Sequence, residues 1–504
     1  MTDAQRLRPP TAEEIRAAAA IHHLDLSPDE VSMLADFIEE TLTTYERVDA
    51  LDAPMPTAPM DRESRRPPPD DDPLNAFVTV CDVSETDTGP LAGYTVGLKD
   101  NVALADVEMT CGSDVFEGYV PSYDATVVTR LLDAGAIVTG KLNMEAMAFG
   151  GSGGLSDFGP VRNPHDPDYL SGGSSSGCAA AVVSGAVDVA IGTDAGGSIR
   201  RPAAWCGCVG LKPTFGLVPY TGIVGQAYTV DHAGPMARTV RDCARVLDVV
   251  AGEDGLDPRQ CAVEVDAYAA AVETATAADV TVAAVDEGFG QNSEGVAVDD
   301  AIREALASFE SAGATVSERS VPLHDDAGAI WTAINLEEMT AMVRGEGVGH
   351  FVTGFFDAEY AAAFGEARRE RADRFPPTLK LALVTGQYLA DTYRGQYYAT
   401  GKNLRRRLVD AYDAALADAD VLAMPTISEL PYRVREGLSD ADRIDRALGL
   451  LQNRAPFNAT GHPVISVPAG TVDGFPVGVS FVGRRGDDAT VLRVAAAFEE
   501  SVSA

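Results

Sequence analysis

Residues 172–216 read GGSSSGCAAAVVSGAVDVAIGTDAGGSIRRPAAWCGCVGLKPTFG. Gly, Ser and other small residues are too dense here for ordinary core packing to explain. Two serine loops lie inside the stretch, Gly172–Gly177 and Asp194–Arg200, and the apolar run Val187–Ile191 reads as a strand leading into the second. Gly196 and Gly197 allow backbone conformations that a Cβ forbids and let a bound carbonyl come close to the main chain. Ser198 then stands at a strand-to-helix junction, with residues 198–204 opening a short helix whose first N–H groups are free to meet an incoming oxygen. The backbone amides of Ala195, Gly196, Gly197 and Ser198 are the donors such a loop offers to an oxyanion.

A serine hydroxyl is a weak nucleophile near neutral pH unless a neighbour takes its proton. None of the seven histidines (His22, His23, His165, His232, His324, His350 and His462) sits in a comparably glycine-rich loop, although a triad assembled by the fold stays open. Lysine is the other candidate. The chain has only Lys99, Lys141, Lys212, Lys380 and Lys402 against 34 arginines, and arginine stays charged. Lys99 follows Tyr94–Leu98, which reads as a buried strand, and desolvation there lowers a lysine pKa toward the working pH. The local sequence equally fits a Lys99 that merely pairs with Asp100.

Further short motifs recur along the chain: Val96–Val102 (VGLKDNV), Asp124–Val128 (DATVV), Gly192–Arg200, Cys206–Thr214, Asp231–Pro235 (DHAGP), Gly461–Pro463 and Val467–Gly470 (VPAG). With the two serine loops, in this order and spacing, they make the chain resemble the amidase signature family, and within it the amidases associated with nitrile hydratases. The resemblance implies Ser198 as the acyl-forming nucleophile, Ser174, after a cis Gly–Ser peptide bond, as the bridging serine, and Lys99 as the terminal base. Ser174 stands 24 and Lys99 stands 99 positions before Ser198, the separations that family keeps. It also implies hydrolysis of a monocarboxylic acid amide to carboxylate and ammonia, without metal or organic cofactor, by a homodimer. Phe149 and Trp331 align by order with aromatic walls of the acyl pocket. Ala195 departs from the pattern, because close relatives carry Gln there and the wider family commonly Thr, which leaves acyl-chain and stereochemical preference open. The alternative is a glutamine-hydrolysing subunit of a tRNA-dependent amidotransferase complex, supplying ammonia to a partner. The helical N-terminal segment and the sequence Gly216–Gly222 favour the stand-alone enzyme.

Gly173–Gly177 also fits G-x-S-x-G, a nucleophile elbow centred on Ser175, but that motif needs a strand before it, and Asn163–Tyr169 is turn-rich. A phosphate cradle would need a following lysine that this loop lacks. Cys206-Gly207-Cys208 has no second pair at ligand spacing, and the odd total of seven cysteines fits reduced thiols in a large chain. With 76 acidic and 39 basic residues the net charge is −37, which disfavours nucleic acid and anionic membranes as partners. Acidic excess with lysine depletion points to a high-salt cytoplasm, where screening tolerates the self-repulsion; an ordinary acidic soluble enzyme is the alternative. No apolar run approaches 18 residues and residues 1–6 carry no secretory signal pattern, so the expected location is cytoplasmic.

Thr11-Ala12-Glu13-Glu14 and Ser27-Pro28-Asp29-Glu30 are capping boxes that open two helices, the second reaching about Val48. Residues 53–73, with Pro67-Pro68-Pro69, read as an extended linker. Residues 1–73 are therefore expected to form a helical appendage and 74–504 a catalytic domain. There, helices over 127–134, 240–251 and 298–312 alternate with strands over 136–140, 280–285 and 315–319. This is an α/β pattern, for which the resemblance implies a mixed central sheet of about eleven strands covered by helices, with a helical insertion over about 324–407 facing the active site.

Overall fold

The computed structural model describes residues 7–51, 55–261, 264–350, 354–449 and 451–503. The chain divides into two compact units, Met1–Pro56 and Thr57–Ala504. The first holds the helices Ala12–Ile21 and Pro28–Asp49, each opened by the capping box read from its sequence: Thr11 with Glu14, and Ser27 with Glu30. The division falls at Pro56 and Thr57, ahead of the proline run. Within the second unit Ser64–Arg65 pairs antiparallel with residues 80–81, and Arg62 forms an ion pair with Asp124. An extended, proline-rich segment suits this use, because a sheet edge accepts a short strand that donates few ladder hydrogen bonds.

Among the described residues of the second unit, twelve strands form one mixed sheet. They are β1 (Ser64–Arg65), β2 (Phe77–Val83), β3 (Thr95–Lys99), β4 (Ile137–Leu142), β5 (Val189–Asp194), β6 (Val209–Lys212), β7 (His232–Ala237), β8 (Thr281–Val285), β9 (Thr315–Arg319), β10 (Val421–Pro425), β11 (Val464–Val472) and β12 (Phe475–Val482). Their order is β1-β2-β4-β3-β5-β7-β6-β11-β12-β10-β8-β9. The two-residue β1 is one strand beyond the expected eleven. The β4–β3–β5 and β10–β8–β9 groups are parallel and the other pairings antiparallel. Every residue of β5 is buried, as a central strand covered on both faces requires.

Helices occupy 126–133, 240–250 and 296–311, within two residues of the sequence expectation. The helices Ala327–Arg344, Ala358–Arg371, Pro377–Tyr393 and Gln396–Ala415 follow, the last ending beyond 407. Three of the five lysines, Lys99, Lys141 and Lys212, are fully buried, while Lys380 is exposed. Among the described residues no helix is long and apolar enough to cross a membrane. Cys206 and Cys208 are buried free thiols.

The helix Ser176–Ser184 packs against β3, β4 and β5, and Gly177 sets how closely. A Cβ there would lie 2.2 Å from Ala76 O and 2.7 Å from both Asn143 N and O. These are backbone atoms that cannot swing aside. Gly177→Ala is therefore expected to lower stability by about 1–3 kcal/mol, read as a lower midpoint in chemical denaturation at constant salt.

Candidate active site

Strands β3 and β5 are parallel neighbours in register Leu98↔Ile191, so their carboxyl ends open at the same edge of the sheet, where α/β folds place ligands. β3 ends on Lys99, which is fully buried. Its Nζ lies 2.8 Å from Ser174 Oγ, 2.8 Å from Thr193 Oγ1 and 3.2 Å from Thr193 O. Asn101 Nδ2 donates to the same Thr193 hydroxyl at 3.2 Å. Of the two readings open for Lys99, the pairing with Asp100 is not what forms: the Asp100 carboxylate takes Lys141 Nζ at 3.1 Å instead. Burial pushes the Lys99 pKa down to about 8, against the opposing pull of Asp194, Asp231 and Glu145.

The first serine loop leads into the helix Ser176–Ser184. The Gly173–Ser174 peptide bond is cis, and Ser174 is fully buried. Ser175 N donates to Ser198 O at 3.1 Å, tying the two serine loops together through their backbones. Glu145 N donates to Ser174 O at 3.2 Å, and its Oε1 accepts from Ser152 Oγ (2.9 Å) and from the amides of Gly153 and Gly154. Residues 163–171, ahead of the loop, contain no strand, so Ser175 does not sit on a strand-to-helix elbow.

The second serine loop is organised by Asp194, the last residue of β5. Arg200 clamps its carboxylate with two hydrogen bonds, Nε to Oδ2 at 3.0 Å and a terminal nitrogen to Oδ1 at 2.9 Å. Gly197 N (2.7 Å), Ile199 N (3.0 Å) and Asn458 Nδ2 (2.9 Å) also donate to it. Burial alone would raise this carboxyl's pKa; Arg200 beside it and the hydrogen bonds outweigh burial and hold it well below the usual range. The amide of Gly197 is thus committed to Asp194, which leaves Ala195, Gly196 and Ser198 as the amides the loop can offer. Two of their peptide planes are fixed from behind. Asn458 Nδ2 donates to Asp194 O at 2.7 Å and Trp331 Nε1 to Ala195 O at 2.8 Å, and in a trans peptide the N–H of Ala195 or of Gly196 points to the opposite side.

Ser198 opens onto a cavity of about 260 Å³ that also carries Gly173, Gly196, Gly197 and both aromatics read from the sequence, Phe149 and Trp331. One wall comes from the helices Ala327–Arg344 and Pro377–Tyr393 and mixes apolar side chains with threonines and Asn335. Phe149 is fixed by its carbonyl, which accepts from Thr378 Oγ1 at 2.6 Å. Among the described residues no histidine lines this cavity. Several residues that shape it stand in no motif of the sequence: Asn335, Gln226, Arg201 and Arg454 line it, and Asn458 braces it from behind. Thr193 and Arg200 lie within the glycine- and serine-rich stretch but do not stand out there, because their partners lie on other strands or near the C-terminus.

The sequence model described as Amidase matches residues 79–492. An enantioselective amidase from Rhodococcus rhodochrous is 44% identical, the alignment covering 98% of this chain and 96% of that protein. A glutamyl-tRNA(Gln) amidotransferase subunit from Halobacterium salinarum is 38% identical over 85% of this chain and all of its own length. Among solved structures, the corresponding amidotransferase subunit from Thermotoga maritima superposes with a TM-score of 0.72 at 32% identity, covering 85% of this chain and 87% of its own.

Two measurements check this geometry. If Lys99 must be neutral to accept a proton, activity follows its deprotonated fraction: kcat/KM on a simple amide rises about tenfold per pH unit below about 8 and levels off above it. A profile flat from pH 6 to 9 would contradict the role. Trp331→Phe keeps an aromatic ring and removes the hydrogen bond to Ala195 O; kcat is expected to fall by up to about tenfold, the worth of one such bond, with the melting temperature little changed.

Proposed function

The chain belongs to the amidase signature family and is an amidohydrolase acting on amides, and we propose that it hydrolyses a monocarboxylic acid amide to carboxylate and ammonia through an acyl-enzyme on Ser198. The observation that carries this reading is the buried 2.8 Å contact between Lys99 Nζ and Ser174 Oγ, on a loop hydrogen-bonded to that of Ser198. At this distance an ammonium donates to the hydroxyl, and a neutral amine accepts from it. Neutral Lys99 takes the proton of Ser174 while Ser174 takes that of Ser198, whose oxygen attacks the amide carbon. The oxyanion is held by the amides of Ala195, Gly196 and Ser198. The proton returns through Ser174 to the leaving nitrogen, the C–N bond breaks and ammonia departs. Water then gives its proton to the same relay, adds to the acyl-enzyme and releases the acid, and Ser198 recovers its proton.

The alternative, a glutamine-hydrolysing subunit of an amidotransferase, fits less of the chain: the amidotransferase relative covers 85% of it and the amidase relative 98%. A homodimer built on the N-terminal helices is supported by the helix Pro28–Asp49, which leaves Met33, Phe37, Tyr45 and Val48 exposed. A cytoplasmic, high-salt setting is supported by the net charge of −37 and the five lysines.

Ammonia release from propionamide, benzamide and glutamine in multimolar KCl tests the function. The wild type is expected to hydrolyse the simple amides, and Ser198→Ala to lose about 1,000-fold or more in kcat. Release from glutamine alone would favour the amidotransferase reading. Wild-type activity that survives in Ser198→Ala would remove Ser198 from the chemistry.

A further inference from the structure

Asn335 is out of place in its surroundings. It lies on the helix Ala327–Arg344, one turn after Trp331, is 0% exposed, and lines the cavity onto which Ser198 opens. Leu336, Leu381, Ala382 and Leu451 line the same cavity, together with Thr332, Thr385 and Gln226. Neither Oδ1 nor Nδ2 has a hydrogen-bond partner from the protein among the described residues. A buried carboxamide without partners is costly, and most buried polar side chains are paired. A leucine, with the same branched heavy-atom skeleton, would avoid that cost.

Placement gives the carboxamide a use. Trp331 marks the end of the cavity near the reacting carbonyl, since a Cβ on Gly196 would come within 3.0 Å of its ring. Residues four apart on a helix share a face, with an axial rise of about 6 Å. Asn335 therefore sits about 6 Å along the helix from Trp331, on the same cavity. An acyl group that is apolar at that depth leaves both atoms of Asn335 without a partner. A group that both donates and accepts supplies one.

We propose that Asn335 is a specificity-determining residue that selects amides whose acyl chain carries a hydroxyl or carboxamide group about four to five bonds from the scissile carbonyl, a spacing set by that helical turn. The proposal rests on the amidase reading at Ser198 and names the substrate class of that same cavity. Asparagine suits both groups, because it presents one acceptor and two donor hydrogens side by side. Discrimination of this kind is effective where a site is built to hydrogen-bond, since the analogue lacking the group leaves buried polar atoms unpaired.

The test compares kcat/KM for two isosteric pairs, 5-hydroxypentanamide with hexanamide and glutaramide with 5-methylhexanamide, in the wild type and in Asn335→Leu. The wild type is expected to favour the polar member of each pair by at least about tenfold. In Asn335→Leu the polar members lose about tenfold or more while the apolar ones hold or gain, and the melting temperature rises. A wild type that favours the apolar members overturns the proposal without any variant being needed. A polar preference that persists in Asn335→Leu overturns it as well, by assigning the preference elsewhere. Failure of the amidase reading looks different: the wild type then releases ammonia from none of the four.

Discussion

The buried ion pair of Asp194 and Arg200 is the constraint on which the site depends. Both side chains are fully buried, and a charge placed so deep is tolerated only when it is paired and fully hydrogen-bonded. Here the pairing also builds the loop. The carboxylate gathers the amides of Gly197 and Ile199, and with them fixes the backbone on either side of Ser198. Arg200 reaches across to Arg454 O and Asn458 Oδ1, so the loop after β5 is bolted to the helix Ala455–Thr460, far along the chain. Removing one partner would strand a charge in the interior, at a cost of about 3–5 kcal/mol, and would loosen the backbone around Ser198 at the same time. Stability and preorganisation are here one set of bonds.

Lys99 shows burial doing the opposite. For Asp194, proximity to arginine overrides desolvation and keeps the charge. For Lys99, whose nearest polar partners are the hydroxyls of Ser174 and Thr193 and a carbonyl, desolvation dominates and the charge becomes easy to lose. Lys141, two strands from β5, is buried as deeply but faces the Asp100 carboxylate. Adjacent strands thus carry two buried lysines with different partners, a carboxylate for Lys141 and hydroxyls for Lys99.

The outline of this arrangement was legible in the sequence where chemistry forces local composition. Ser174, Ser198 and Lys99 stood out because paired glycines mark close backbone approach and a lysine-poor chain offers few candidate bases. Phe149 and Trp331, singled out only through the family resemblance, lie with Ser198 in one cavity. The alternation of strands and helices was readable because a covered sheet demands runs such as Val189–Asp194. What stayed hidden depends on partners far away in sequence. Asn458 looks like any other asparagine until the fold brings it to Asp194, 264 residues distant. The commitment of Gly197 N to Asp194 required geometry, as did the choice of Lys141 over Lys99 by Asp100. The proline-rich segment before residue 73 reads as linker because nothing local reveals that residues 64–65 find a sheet edge.

The distribution of lysine has a practical side. With Lys99, Lys141 and Lys212 sealed in the interior and Lys402 half-buried against Thr229 and Glu338, Lys380 is the one exposed lysine. Amine-reactive reagents, which scatter over the surface of most enzymes, would meet a nearly single target here apart from the chain's own amino terminus. Lys380 lies on the helix Pro377–Tyr393, whose other side walls the cavity. A dye or a resin coupled there would be attached in one orientation, next to a wall of the cavity onto which Ser198 opens.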